Sequence, residues 1–433
     1  MAEQRAGVRR IAFLSEHASP LAVRGGMDAG GQNVYVDEVS RNLAHLGCAV
    51  DIFTRRDAED VPEVVEWAPG VRIVHLRAGP DQFLLKDELW PYMLAFRDAL
   101  LRFMRREGIV YDVLHGNFWM SGWVAAQLGE QLHIPVVQIF HAMGKTKRRH
   151  QGAADTSPDE RIAVEIEVIR AVDRLIAQCP SEASELVDDY GAEPHKVVVI
   201  PSAVNTAIFR PIARAEARRR IGLASDGPVV AYIGRMLPRK DVRNVVRAIA
   251  ALLRRAEAER DAQVQGVTLL LVGGETREPD PVATPEIGEL QRLAAELGIA
   301  DHVRFVGKRQ PDELRYYYGA GDVAVTTPWY EPFGLTPLEG QACGRPVIGS
   351  AVGGITYTSA NGETGFLVPP RDPEALAAKL YEVLSQPELR ERMGRAARAR
   401  VELDFTWARV ARRTADLYES LLATRVAPVK EAV

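Results

Sequence analysis

Short apolar runs, separated by longer stretches of helical pattern, are the feature that most restricts the folds open to this chain. In the first half they fall at residues 11–15, 50–54, 71–76, 113–115, 136–140, 175–178 and 197–200. Such alternation implies βαβ units and a mainly parallel sheet. After Pro201 comes the irregular stretch S-A-V-N-T-A-I-F-R-P and a charged helix, and a second series follows at 229–233, 268–272, 303–306, 323–326, 347–348 and 365–368. At 433 residues the chain exceeds the size at which one core keeps growing, so two α/β domains of about 200 residues each are expected. The boundary is placed in the break near 205–215, giving domains 1–205 and 206–405 with a ligand cleft between the two sheets.

Charge and cysteine content narrow the class of partner. A net charge of -4 and a pI near 6.2 give no reason to invoke nucleic acid or an anionic membrane as a general partner. The three cysteines, Cys48, Cys179 and Cys343, are far apart and odd in number. They point to buried thiols in a reducing compartment, not to a disulfide framework or a zinc site. The N-terminus runs into a strand without an apolar signal core, and no run of about 18 apolar residues occurs, so a cytoplasmic protein is expected. Residues 275–285 read as a polar surface loop. Thr406 reads as the N-cap of an amphipathic helix running to about Leu422, and the final A-P-V-K-E-A-V reads as a frayed tail.

The stretch E-P-F-G-L-T-P-L-E, Glu331 to Glu339, follows the apolar run 323–326 and should therefore lie at the carboxyl end of a parallel sheet, where open α/β folds place ligands. Thr336, Pro337 and Glu339 fit a capping box, with Thr as N-cap and Glu three residues on. Capping leaves Glu331 and the Phe333-Gly334 turn unexplained. The two glutamates, led by E-P-F-G, resemble the E-x7-E element of retaining glycosyltransferases of family 4, whose GT-B fold pairs two Rossmann-like domains across a cleft. The resemblance spans nearly the whole chain. It implies that residues 406–433 carry a helix crossing back to the N-terminal, acceptor-binding domain, while the second domain binds the nucleotide sugar.

A diphosphate needs cations or helix N-termini aimed at it. Residues 229–233 end in G-R-M-L-P-R-K, which puts Gly234, Arg235 and Lys240 at the mouth of the second domain. In the family, the matching Arg and Lys hold the diphosphate. The resemblance further implies that Glu339 binds the ribose hydroxyls, that Glu331 lies beside the donor sugar, and that backbone amides of Phe333, Gly334 and Leu335 contact sugar or phosphate. It also sets backbone groups of the Lys308-Arg309 segment against the nucleobase. Gly353 and Gly354 read either as a close backbone approach or as simple turn glycines. In the first domain, Gly30 and Gly31 stand before a helix starting near Gln32, where backbone N–H groups can approach an anion. His141 ends a strand, and in the family the matching histidine touches the donor sugar.

Retention in this family is described as front-face attack, in which the leaving diphosphate accepts the acceptor's proton. The residues implied in catalysis are His141, Glu331, Arg235 and Lys240, acting by positioning and charge stabilisation. No D-x-D motif flanks the donor residues, so neither a metal nor any other cofactor is expected beyond the nucleotide sugar as co-substrate. For the acceptor, the chain resembles two branches, the inositol-3-phosphate glycosyltransferases and the sucrose-phosphate synthases. Lys86 and Arg161 match basic positions that hold the phosphate in the first branch, and Asn117 is counted with them among the acceptor-binding residues. The matching Tyr and Thr are here Phe118 and Ala142, each the loss of a hydroxyl donor. The basic run K-T-K-R-R-H, residues 145–150, is either a replacement source of cations or a solvated loop.

The chain thus reads as a retaining hexosyltransferase moving glucose or N-acetylglucosamine from a nucleoside-diphosphate sugar, UDP being preferred by family frequency, to a small hydroxylated acceptor of the inositol-phosphate or sugar-phosphate kind. Transfer to fructose 6-phosphate is the alternative within the class. An epimerase on the same scaffold, with His17 or His115 as acid or base, is the alternative outside it. The partners expected are the sugar nucleotide and a small acceptor, with no nucleic acid and no integral membrane; a homodimer is compatible with the chain.

Overall fold

The computed structural model describes residues 10–21, 30–223 and 227–426. The tail after Val426 lies outside them. The chain divides into two compact units, one made of Met1–Pro201 with Trp407–Val433, the other of Ser202–Thr406.

The first unit is built on eight strands: β1 (Arg10–Leu14), β2 (Ala49–Arg55), β3 (Val64–Ala68), β4 (Val71–Leu76), β5 (Val113–Asn117), β6 (Val136–Ile139), β7 (Arg174–Ala177) and β8 (Val197–Val199). They lie in the order β3-β4-β2-β1-β5-β6-β7-β8, all parallel except β3, which pairs antiparallel with β4. Strand β3 is absent from the apolar runs read in the sequence. It is half-buried along its length and sits at the sheet edge, so V-V-E-W-A lacks the continuous apolar signature of a doubly covered strand.

Helix Trp407–Val426 joins this first unit, packing on helix Gly31–His45. Trp407, Val410, Ala411, Thr414, Tyr418 and Leu421 are buried, a spacing of three and four residues that makes one apolar stripe. Tyr418 is hydrogen-bonded through its hydroxyl to the buried His115 Nδ1, and Arg413 donates to the Val199 carbonyl.

The second unit holds β9 (Val229–Ile233), β10 (Thr268–Val272), β11 (Val303–Gly307), β12 (Val323–Thr326), β13 (Val347–Ser350) and β14 (Gly365–Val368) in the order β11-β10-β9-β12-β13-β14, all parallel. Strand order reverses at β9/β12, as it does at β1/β5 in the first unit. Each reversal opens a crevice at the carboxyl ends of its two strands, where doubly wound sheets bind ligands. Cys48, Cys179 and Cys343 are all free and buried, and among the described residues no helix is long and apolar enough to cross a membrane.

The amino ends of β9 and β12 are joined by Asp322, which is 3% exposed. It accepts from the Val229 N–H (2.8 Å) and pairs with Arg218 (2.9 Å), Arg214 (3.2 Å) and Arg390 (3.6 Å). Removing one member of a buried pair leaves its partners charged and uncompensated. Asp322→Ala is therefore expected to lower unfolding free energy by about 3 kcal/mol, read by urea denaturation; a loss below about 1 kcal/mol would show the three guanidiniums to be satisfied without it.

Candidate active site

At the β9/β12 reversal, the turn after β9 closes in a short helix Pro238–Lys240, and Asp241 takes a left-handed conformation (φ 49°). This presents Lys240 to the loop after β12, where its ammonium pairs with the Glu331 carboxylate. The two side chains are 14% and 15% exposed. Burial alone would raise the Glu331 carboxyl, but Lys240, Arg239 and Arg235 outweigh it and hold the group below its ordinary range. Burial also lowers Lys240, against the pull of Glu331. Three cations thus act on this one carboxylate.

Arg239 was not foreseen from the sequence as part of this cluster. Its guanidinium lies 5.3 Å over the Tyr330 ring, and its buried Nη1 has no hydrogen-bond partner among the described residues. Its position beside Lys240 in P-R-K was the available signal. Arg235 is exposed at the same turn.

The capping-box reading of Thr336 and Glu339 does not hold. Helix Leu335–Ala342 starts earlier, with Gly334 as N-cap at φ 99°, so Thr336 is its second residue and Glu339 its fifth. Pro337 is tolerated at the third position because amides of the first turn have no intrahelical acceptor. Glu339 instead accepts from the Tyr318 hydroxyl at 3.0 Å. Gly353 and Gly354 serve a close approach to the chain's own E-P-F loop: an added Cβ would stand 2.1 Å from the Glu331 carbonyl oxygen at Gly353 and 2.2 Å from that of Phe333 at Gly354.

The 307–309 segment is tied to the loop after β10. Lys308 N–H donates to Thr276 O (2.7 Å), Gly307 O accepts from Gly273 N–H (3.0 Å), and Arg309 holds Tyr317 OH (2.8 Å) and the Arg277 carbonyl. Its backbone hydrogen bonds thus serve the fold. The polar loop itself is pinned by Arg277 to Glu313 (3.0 Å).

In the first unit, helix Gly31–His45 opens at the end of the glycine pair, and the Gly30 N–H donates to Asn33 Oδ1 at 2.9 Å. One of the two amides proposed for an anion is therefore engaged locally. Gln32 Nε2 reaches Ser15 Oγ (3.2 Å) and Asn117 O (3.4 Å), bridging the ends of β1 and β5.

His141 follows β6 at φ 61°, and Phe118 follows β5 at φ 78°. Left-handed non-glycine residues are uncommon and are held only where the surroundings enforce them. Asn117 Nδ2 donates to Leu14 O and His115 O, which turns Oδ1 toward His141 Nε2 at 3.1 Å. The Nε2 atom therefore carries the imidazole proton. Burial, with His115 and His17 nearby, pushes the His141 pKa down to about 3. The ring is neutral at physiological pH.

Arg161 is 1% exposed and fully engaged: Nε to Glu165 (2.9 Å), Nη1 to Ser157 Oγ (3.1 Å), Nη2 to the Ala142 carbonyl (2.6 Å), with its guanidinium 5.0 Å over the Phe118 ring. Lys86 stands half-buried in the short helix Lys86–Glu88. The basic run is neither a solvated loop nor a set of open cations. It forms helix Gly144–Gln151, in which Lys147 pairs with Asp155 (2.9 Å), Arg149 with Asp189 (2.9 Å), and Lys145 lies 4.6 Å over Tyr190. Glu165 occupies the amino end of that helix, accepting from Gly144 N–H (3.0 Å), Arg161 and Tyr190 OH (2.6 Å).

His17 bonds Glu16 at 2.7 Å. His115 is a core residue, wholly buried against Tyr418, with burial pushing its pKa down to about 3. It cannot serve as the acid or base of an epimerase.

Comparison with known proteins agrees with this organisation. Residues 213–400 match the family model of glycosyl transferases group 1, and residues 29–208 that of glycosyltransferase family 4. The D-inositol 3-phosphate glycosyltransferases of Acidothermus cellulolyticus and Thermobispora bispora are each 40% identical, over 96% and 98% of this chain and 91% and 97% of theirs. The sucrose-phosphate synthase structure from Thermosynechococcus elongatus superposes with a TM-score of 0.84 at 34% identity, over 96% of this chain and all of that one (100%).

His115 supplies a pH dependence of stability. An unfolded imidazole takes a proton near 6.5, the folded one only near 3, so between these values the unfolded state binds more protons and stability falls as pH falls. His115→Phe is expected to lower stability at neutral pH and to flatten the decline between pH 6.5 and 5 by up to about 1.4 kcal/mol per pH unit. Denaturant titrations of both proteins across that range check it; parallel curves would mean that His115 is protonated in the folded state.

Proposed function

Because the chain belongs to the family 4, group 1 glycosyltransferases, retaining enzymes with the GT-B fold, we propose that it moves a hexosyl unit, glucose or N-acetylglucosamine, from a UDP-sugar to a small acceptor bearing a phosphate. The observation that carries the donor half is the gathering of Lys240, Arg239 and Arg235 around Glu331, with Lys240 paired to its carboxylate. A diphosphate supplies the matching charge, and its charge grows as the glycosidic bond breaks, so preorganised cations stabilise the transition state more than the ground state.

In this reading Arg235, Arg239 and Lys240 hold the diphosphate, with Gly234 giving backbone access, and Gly30 and Gly31 are the donor contacts proposed for the first unit. Glu331 sits beside the sugar, and Phe333, Gly334 and Leu335 offer amides to it. Glu339 takes the ribose hydroxyls, with Tyr318 fixing one of its oxygens. Lys308 and Arg309 shape the nucleobase wall through the loop they pin. His141 acts as a neutral group, its backbone carbonyl toward the sugar, and abstracts no proton. The departing diphosphate takes the acceptor's proton.

The acceptor half rests on the relatives named above, one set acting on inositol 3-phosphate and the other named for sucrose phosphate. Lys86, Asn117, Phe118, Ala142 and Arg161 are its proposed contacts. Arg161 acts from beneath Phe118, and meets a phosphate directly only by releasing Glu165, Ser157 or the Ala142 carbonyl. Fructose 6-phosphate is kept as a second acceptor because of the sucrose-phosphate synthase likeness over nearly the full chain.

The deciding experiment is a mass-spectrometric transfer assay crossing UDP-, GDP- and ADP-sugars with inositol 3-phosphate, fructose 6-phosphate and their unphosphorylated forms, the product anomer being read by NMR. Transfer with retention to a phosphorylated acceptor is expected, undiminished by EDTA, since the cation cluster is assigned the role a metal would otherwise fill. Transfer to neutral acceptors alone would refute the phosphate assignment. Lys240→Ala is expected to weaken UDP binding by about 1–3 kcal/mol, the size of a charged hydrogen bond. Unchanged affinity by calorimetry would remove Lys240 from the diphosphate site.

A further inference from the structure

The second unit contains a cavity of about 550 Å³ away from the Lys240–Glu331 crevice. Helix Leu335–Ala342 spans the two places. Its first residues follow the Glu331 loop, and the Cys343-Gly344 pair that follows its last residue forms a wall of the cavity. Four guanidiniums line the space, Arg214, Arg345, Arg395 and Arg398, against two carboxylates, Glu391 and Glu402.

These arginines are not equally committed. Arg214 is divided between Asp322 (3.2 Å) and Glu391 (2.9 Å). Arg398 holds the Ala342 carbonyl (2.7 Å), the Phe209 carbonyl (3.0 Å) and Glu402 (2.7 Å). Arg345 is 8% exposed and donates from Nη2 to Ile212 O and Gly319 O, yet its buried Nε has no partner among the described residues. Arg395 is exposed at the cavity and makes no ion pair among the described residues. A buried N–H donor left unmade costs free energy that a ligand acceptor recovers. Burial pushes the Cys343 thiol up to about 12, so the wall offers no thiolate, and the space is suited to binding and not to covalent chemistry.

We propose that this cavity is a binding site for a small phosphate-bearing anion, separate from the donor crevice. The excess of two guanidiniums over carboxylates matches a phosphate dianion, which arginine recognises through paired N–H donors. A space of this volume also exceeds what a bare phosphate fills, and the two rim glutamates can accept from hydroxyl groups of an attached sugar. Through Arg398 the occupant touches the carboxyl end of the helix that carries Glu339.

Calorimetry on the full chain with inorganic phosphate and with glucose 6-phosphate tests this. Saturable binding is expected, weakened about tenfold in Arg395→Gln, the scale of one lost charged hydrogen bond. Arg395 is exposed, so its loss leaves the fold intact. Glu391→Gln, which frees Arg214 and removes a repelling charge, is expected to strengthen binding. Lys240→Ala should leave it unchanged. Equal affinity for the two probes would identify the phosphate alone as the feature recognised, and tighter binding of glucose 6-phosphate a sugar phosphate as the occupant. Absence of saturable binding at millimolar concentration, or binding abolished by Lys240→Ala and untouched by Arg395→Gln, would overturn the proposal.

Discussion

Strands β9 and β12 are pinned by charge at both ends, and the crevice at their carboxyl ends depends on it. At their amino ends Asp322 ties the Val229 amide to three arginines. At their carboxyl ends Lys240 ties the β9 turn to the β12 loop through Glu331. A lone buried ion pair adds little net stability, because desolvation offsets the attraction. Here the pair sits inside a positive field from Arg239 and Arg235, so the carboxylate is stabilised more than its own partner alone would achieve.

The first unit solves a different problem. Its strands β5 and β6 are followed by Phe118 and His141, both left-handed, beside the β1/β5 reversal. Asn117 fixes the histidine tautomer from one side, and Tyr35 packs edge-on to the ring with centroids 5.0 Å apart. Beneath Phe118, the Arg161–Glu165–Tyr190 network is buried and fully hydrogen-bonded, the condition under which a polar cluster rigidifies instead of destabilising. The ring of Phe118 gives the Arg161 guanidinium a face to rest on where a tyrosine would add a hydroxyl.

Much of the architecture was legible because parallel strands covered on both faces must be continuously apolar. That constraint marks 71–76, 229–233, 268–272, 323–326 and 365–368 to the residue. It fails for β3, a half-buried edge strand. The E-P-F-G-L-T-P-L-E stretch was legible as a site but not in its local geometry, since a capping box and a glycine-capped helix share the same residue types. Only the left-handed Gly334 decides between them, and it moves Glu339 from capping to the Tyr318 hydroxyl.

What the sequence determined by itself is the α/β alternation, the two-unit organisation implied by length, and the presence of Arg235, Lys240, Glu331 and Glu339 after strands of one sheet. These follow from periodicity and local order along the chain. What only the tertiary structure decided is which charges are already satisfied. Residues 145–150 and Arg161 look like open cations in the sequence and are paired in the fold, Arg239 looks incidental and has an N–H without a partner among the described residues, and His115 looks like a strand-end acid or base and is buried. The reason is physical: a charge is neutralised by neighbours in space that lie tens to hundreds of residues away, as Asp322 does for Arg214 and Asp189 for Arg149, and chain order carries no record of those distances.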